Sequence, residues 1–243
     1  MTIRVILAPR PARQAVARWL VKAGVPGVNF EHLTTFKSGI KSPYYMDCRL
    51  LQASPEANIE VIRSYAALID EMRTVANFDY DAIAGIQTGA IPFSSVLAYD
   101  GQFTCGNGRA SLPCPHYSIK KEEKDHGKKG PIDGGSPVGK NVIVVEDMMT
   151  TNGSLLRGVN ALKTAGATVA GCVAIMSYDI DGANEKFVAE GIPLGLLTTL
   201  DDVLLAMFEQ KQIADWQYRE VINWHGDPHN WHKRYQPKVA VSA

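Results

Sequence analysis

Two acids stand side by side at the end of an aliphatic run in VIVVEDMMTTNGS, residues 142 to 154. The run 142 to 145 has the pattern of a strand buried on both faces, and Glu146 and Asp147 fall where it leaves the core. Met148, Met149, Thr150, Thr151, Asn152 and Gly153 then form a turn feeding a helix that begins near Ser154. In an open parallel sheet, ligands bind beyond the carboxyl ends of the strands, where such turns meet helix N-termini. Backbone N–H groups, the helix dipole and the hydroxyls of Thr150, Thr151 and Ser154 converge there, which suits a phosphate. Glu146 and Asp147 are repelled by that phosphate and require another partner close by. Vicinal sugar hydroxyls or a sugar-bound Mg2+ meet the requirement. A phosphate on one side of a ribose and two carboxylates on the other make a ribose 5-phosphate site.

A second cluster lies upstream. SIKKEEKDHGKKG, residues 118 to 130, carries Lys120, Lys121, Lys124 and His126 in one polar segment. Such cations can be brought onto a polyanion once it arrives, and pyrophosphate is a leaving group they would suit. Taken alone, a charge run of this kind is more often a solvated surface.

The elements that must position these groups follow from periodicity. Residues 11 to 23 place Ala12, Ala15, Val16, Trp19, Leu20 and Ala23 at helical spacing. A hairpin-like stretch, TTFKSGIKSPYYMDCRLL, follows. Ser54 and Pro55 then cap and open a helix running to about residue 75. Strands are predicted over 82 to 86, 142 to 146, 168 to 178 and 194 to 197. Helices are predicted after the first of these and over 153 to 165, 182 to 190 and 200 to 212. The alternation implies a parallel sheet with right-handed crossovers. Residues 104 to 140 read as a long polar loop, too polar to pack as a layer. The last 30 residues or so, holding Trp216, Trp224 and Trp231 among His225, His229 and His232, form an extension whose rings are expected to pack on the body or on a partner subunit.

Composition narrows the classes. The 243 residues suit one large α/β domain, and 25 basic residues balance 25 acidic ones, so no overall charge favours nucleic acid or an anionic membrane. Four cysteines without a CxxC pair fit reduced thiols. Cys105 and Cys114 with His116 have spacing too loose for a metal site. No segment has the length of a membrane span or a signal peptide, and the expectation is a soluble, cytoplasmic protein.

The acid pair, with its preceding hydrophobics and following Thr-rich loop, resembles the phosphoribosyl pyrophosphate (PRPP) motif of type I phosphoribosyltransferases. KKEEKDHG is similar to the catalytic loop of the orotate phosphoribosyltransferases, Arg-Lys-x-x-Lys-x-His-Gly, matched by Lys121, Lys124, His126 and Gly127. Lys120 stands where that pattern has arginine, and an ammonium lacks the bidentate fork. FKSGIKSPYYMDCRL resembles the same family's orotate-pocket region, which carries over to Lys37, Tyr44 and Tyr45. AIAGIQTGAIPF resembles its pyrophosphate loop, with Gln87, Thr88 and Gly89 in the phosphate-contacting positions.

The resemblance implies a type I phosphoribosyltransferase fold: a central parallel sheet flanked by helices, in one domain over residues 1 to 212. Within it a small N-terminal hood spans about 1 to 53, the core about 54 to 212 and a mobile catalytic loop about 117 to 135. An aromatic and basic extension follows over 213 to 243. It also implies transfer of ribose 5-phosphate from PRPP to orotate, giving orotidine 5′-monophosphate and pyrophosphate in pyrimidine synthesis. Mg2+ is the implied cofactor, bound through PRPP near Glu146 and Asp147. Lys124, His126 and Asp147 are the implied catalytic residues, with Lys120 and Lys121 on pyrophosphate. The implied assembly is a homodimer that shares its catalytic loop.

One position departs from the pattern. After the strand over 168 to 178 the family has Asp-Arg-x-Glu, whose arginine grips the orotate carboxylate; here Asp179 matches, and Ile180 takes the arginine's place. A buried carboxylate needs a cation or hydrogen-bond donors. Lys37 or Lys41, backbone amides near Tyr44, or a base other than orotate would resolve it. A phosphoribosyltransferase for another nucleobase and a PRPP-sensing regulator without turnover are the rival readings; the regulator would need a nucleic-acid surface, of which the charge balance gives no sign.

Overall fold

Residues that are aliphatic or small at every position are stable as strands only when both faces of the sheet are covered. The computed structural model, which describes residues 5–99, 113–120, 130–151 and 153–235, puts such runs at the centre of the fold. The N-terminal part holds β1 (Val5–Leu7), α1 (Arg10–Lys22), β2 (Pro26–Val28), β3 (Thr34–Thr35), β4 (Lys41–Ser42), β5 (Tyr44–Met46) and a 3-10 turn, Cys48–Ala53. Next come α2 (Pro55–Ala76), β6 (Ala82–Ile86), α3 (Ile91–Tyr99), β7 (His116–Ile119) and β8 (Ile132–Asp133). The chain continues through β9 (Asn141–Met149), α4 (Gly153–Thr164), β10 (Thr168–Ser177), a 3-10 turn at Ile180–Gly182, α5 (Ala183–Ala189), β11 (Leu194–Leu196) and α6 (Leu200–Glu209). The last elements among the described residues are α7 (Asp215–Gly226) and α8 (Trp231–Arg234).

The main sheet has seven strands in the order β1-β11-β10-β9-β6-β7-β8, parallel except for the β7–β8 pair at one edge. Alternate residues of the central strands serve opposite layers, as the pleat requires. Val142 and Val144 join Leu155, Val159 and Leu162 of α4 in one core, whereas Ile143 and Val145 join Tyr65, Leu68, Ile69 and Met72 of α2 in the other. At Gly158 the lack of a side chain lets α4 lie close to the sheet, because a Cβ there would overlap Ile86 Cδ1.

Three expectations change. β9 runs on to Met149 instead of stopping at Glu146, because β10 pairs with it as far as Met148↔Met176 and Met149↔Ser177. The segment 104 to 140 is not loop throughout: β7 pairs in parallel with β6, with Tyr117 and Ile119 buried. Its four residues lie between polar stretches that mask so short an alternation. Ser54 is the N-cap residue and Pro55 opens α2, as predicted, yet the Ser54 side chain makes no capping hydrogen bond.

Two small antiparallel ribbons, β2–β5 and β3–β4, form the hood. The extension folds back onto it. Trp224 is fully buried on α7, and its indole N–H donates to Lys41 O at 2.9 Å. Phe30 of the hood sits among Trp216, Trp231 and Tyr235, with ring centroids 4.9, 6.1 and 5.4 Å away. No helix among the described residues is long and apolar enough to cross a membrane.

Candidate active site

The carboxyl ends of β6, β9 and β10 and the hood together enclose a cavity of about 760 Å3. From the hood, Thr34, Thr35, Phe36, Lys37 and Ser38 line it, together with Tyr45, Met46, Asp47, Cys48 and Arg49. From the core come Thr88, Gly89, Asp147, Met148, Thr150, Thr151, Gly153, Ser154, Arg157 and Tyr178.

The structure separates the two acids, because neighbouring residues of a strand face opposite ways. Asp147 lines the cavity, and its carboxylate lies against Gly89, where a Cβ would overlap Oδ2. Glu146 is 1 % exposed. Its Oε1 accepts from Asp147 N at 3.2 Å and its Oε2 from Ser154 Oγ at 3.4 Å, while its backbone oxygen accepts from Tyr65 OH at 2.8 Å. Glu146 thus ties β9 to the start of α4 and to α2, and Asp147 is the acid that faces the cavity. Met149 is buried, whereas Met148, Thr150 and Thr151 reach the cavity. With Gly153 and Ser154 at the N-terminus of α4, the phosphate-type turn is assembled on the core side. Asn152 lies outside the described residues.

Thr88 and Gly89 stand opposite this turn, following a cis Gln87–Thr88 peptide. Gln87 N donates to Ile119 O at 2.8 Å, which fixes the loop to β7, and its side chain is not in the lining.

Part of the cavity wall is aromatic. Phe36, Tyr45 and Tyr178 line the cavity with Lys37 among them. Tyr44 does not: it is fully buried below Tyr45, edge-on to Tyr178 at 5.8 Å, while Tyr45 is 39 % exposed. Burial pushes the Tyr44 and Tyr178 phenols well above their ordinary pKa, and Tyr44 OH has no hydrogen-bond partner among the described residues. Ile180 also turns away from the cavity and is 3 % exposed in the core. Lys41 lies outside the lining, with its carbonyl engaged by Trp224.

Sequence reasoning passed over several lining residues. Tyr178 follows β10, so the rule that sites form at strand carboxyl ends pointed to it. Arg157, one turn into α4, is exposed and reaches toward Gly153, where a Cβ would lie 3.3 Å from its Nη1. Asp47 and Arg49 form a forked pair, Nε to Oδ1 at 2.6 Å and Nη2 to Oδ2 at 2.7 Å. The hydrogen bond from Arg49 holds the Asp47 carboxyl below its usual range. Cys48 is buried beside the acids; desolvation first, then the charges of Asp147, Asp47 and Glu146, raise its thiol well above its ordinary value. It is a protonated packing group, not a nucleophile.

Lys120 stands at the end of β7, and its Nζ pairs with Asp133 Oδ1 at 2.9 Å, away from the cavity lining. Lys121, Lys124, His126 and Cys105 lie outside the described residues. Among the described residues no group of three or more His, Cys, Asp or Glu side chains is placed to hold a metal ion.

A strand that leads through an acid into a turn of hydroxyls and small residues at a helix N-terminus, facing a small-residue loop across one cavity, has the chemistry to suit a sugar phosphate. The phosphoribosyl transferase domain model matches residues 51–191, which contain both loops. The chain belongs to the phosphoribosyl transferase family. An orotate phosphoribosyltransferase of Staphylococcus saprophyticus is 31% identical over 211 residues, covering 87% of this chain and 97% of that one. One of Rhizobium johnstonii is 32% identical over 228 residues, covering 92% and 93%. The orotate phosphoribosyltransferase of Mycobacterium tuberculosis, solved in complex with PRPP, superposes with a TM-score of 0.57 at 25% identity, over 79% of this chain and 99% of that one. The hood, which the domain model leaves largely unmatched, supplies Phe36 and Tyr45 of the cavity's aromatic lining, and the matched core supplies Tyr178.

Proposed function

We propose that this protein transfers the ribose 5-phosphate of PRPP to orotate, giving orotidine 5′-monophosphate and pyrophosphate in pyrimidine synthesis. The observation that carries the reading is one cavity lined by the turn of residues 148–154, by Asp147 and by the aromatic side chains of Phe36 and Tyr45. The relatives, named for orotate, supply the choice of base.

In this reading Thr150, Thr151, Ser154 and the backbone at Gly153 hold the 5-phosphate, and Asp147 accepts from the ribose hydroxyls. Thr88 and Gly89 hold the pyrophosphate through backbone N–H groups. The pyrimidine ring packs against Tyr45 and Phe36, near Lys37. Its nitrogen attacks the anomeric carbon as the bond to pyrophosphate oxygen breaks, and pyrophosphate departs with the electron pair. Holding both partners in line and neutralising the departing charge is the protein's task. Lys121, Lys124 and His126 are suited to the second part, closing over the pyrophosphate, and a homodimer sharing that loop would place them there. Cytoplasmic residence accords with such a biosynthetic role.

Asp147 with the buried Glu146 is a poor ligand set for a bare divalent ion, and it fits Mg2+ that arrives already coordinated by PRPP oxygens. When bound, the ion neutralises pyrophosphate charge.

The test mixes protein, PRPP, Mg2+ and orotate, and follows orotate absorbance and pyrophosphate release, with uracil and purine bases in parallel. Orotate consumption is expected. Turnover of another base alone would move the substrate, and turnover of none would favour a PRPP-binding regulator.

A further inference from the structure

The family's carboxylate-binding arginine has no counterpart at Ile180, and the structure shows why the loop after β10 does not supply one. Ile180 is turned into the core, and both its neighbours are acids. The extension is bonded on either side of it: His225 Nε2 lies 2.6 Å from Tyr178 O, and His229 Nε2 lies 3.0 Å from both carboxylate oxygens of Asp181. This segment is fixed and offers a bound anion no cation.

Among the described residues the cavity lining contains three cations, Lys37, Arg49 and Arg157. Arg157 belongs to α4 and lies against Gly153, at the phosphate end. Lys37 is a point charge without a fork. Arg49 stands on the hood four residues after Tyr45, and Asp47 grips one edge of its guanidinium through Nε and Nη2. That grip orients the group and leaves Nη1, with the second Nη2 hydrogen, to form a second fork. A guanidinium pinned by one carboxylate is preorganised to accept another, which compensates the repulsion between the two acids.

We propose that Arg49 grips the carboxylate of the pyrimidine substrate, so that this protein recognises its base from the hood instead of from the loop after β10. The inference rests on the orotate reading above and deepens it. It places the specificity for a carboxylated over an uncarboxylated pyrimidine in the Asp47–Arg49 pair.

The experiment measures KM for orotate and for PRPP in the wild type, Arg49→Ala, Arg49→Gln and Arg49→Lys, with thermal melting of each. It also measures inhibition by uracil, which shares the ring and lacks the carboxylate. Wild-type failure with orotate would overturn the functional reading itself, before Arg49 is considered. With an active wild type, Arg49→Ala and Arg49→Gln are expected to raise KM for orotate about 10- to 100-fold, the usual worth of a charge-assisted fork. KM for PRPP and inhibition by uracil should stay within about 3-fold, because neither involves the carboxylate contact. Arg49→Lys should recover part of the loss. A rise in KM for PRPP alone would make Arg49 a pyrophosphate ligand and overturn the inference, as would an equal rise for both substrates or no change in either. Should the alanine variant fail to fold, the glutamine variant decides.

Discussion

The carboxylate of Asp147 occupies the space that a side chain at residue 89 would need, so that a Cβ built on Gly89 would overlap Oδ2. Two loops that meet across the cavity therefore fit together only because one of them has no side chain at the contact. Gly89→Ala would force Asp147 aside. Since a displacement near 1 Å can cost roughly 100-fold in rate, kcat/KM is expected to fall by about that factor with melting almost unchanged. Activity within a few-fold of wild type would show that Asp147 moves at no cost.

The acids of the pair should respond differently. Asp147→Asn leaves a cavity-facing group without charge, and a drop of about 100-fold in kcat/KM is expected with the fold intact. Glu146→Gln alters a buried side chain bonded to Asp147 N and Ser154 Oγ, so its main effect should appear as a lower melting temperature. Equal kinetic losses without any change in melting would contradict the division of labour.

Trp224 joins the extension to the hood through Lys41 O and packs edge-on against Tyr178 at 5.9 Å. A fully buried tryptophan cut to alanine typically costs about 3 to 5 kcal/mol, and urea unfolding of Trp224→Ala should show a loss of that order. Truncation after Gln212 should destabilise at least as much. A loss under about 1 kcal/mol would mean that the extension is only draped over the body.

His116 is half-buried on β7, its Nε2 2.8 Å from Ser94 Oγ, and burial lowers its pKa below the ordinary 6.5. The unfolded chain then takes up a proton at higher pH than the folded one. The contribution of neutral His116 is complete above the unfolded pKa and is lost as pH falls from there through the lower folded value. Melting temperature should decline over that window, and less steeply in His116→Gln. Superimposable profiles would assign the decline to other groups.

Lys124 was singled out by its place in the Lys-x-x-Lys-x-His run, which lies outside the described residues. Lys124→Ala is expected to lower kcat by 100-fold or so while leaving melting unchanged. Turnover within a factor of a few would remove it from the departing-charge role.

What the sequence could show was whatever local pattern encodes. The aliphatic runs of β6, β9 and β10 carry the two-sided burial of a parallel sheet in their composition, and the alternation with helices determined the layers. The turn after Asp147 was legible because the residues that form it are contiguous in the chain. β7 was missed because an alternation four residues long cannot be told from loop until β6 is beside it.

The division between Glu146 and Asp147, the burial of Tyr44 beneath Tyr45 and the turning of Ile180 into the core were decided only in three dimensions. Each depends on which face of an element meets which neighbour. The same holds for Asp47 with Arg49, whose partnership is local but whose place in a cavity lining shared with the core is not. Sequence by itself determined the central strands of the sheet and the turns that follow them. Tertiary structure decided which side chains face the site, because a strand exposes its residues in alternation and only packing selects the side that becomes the cavity.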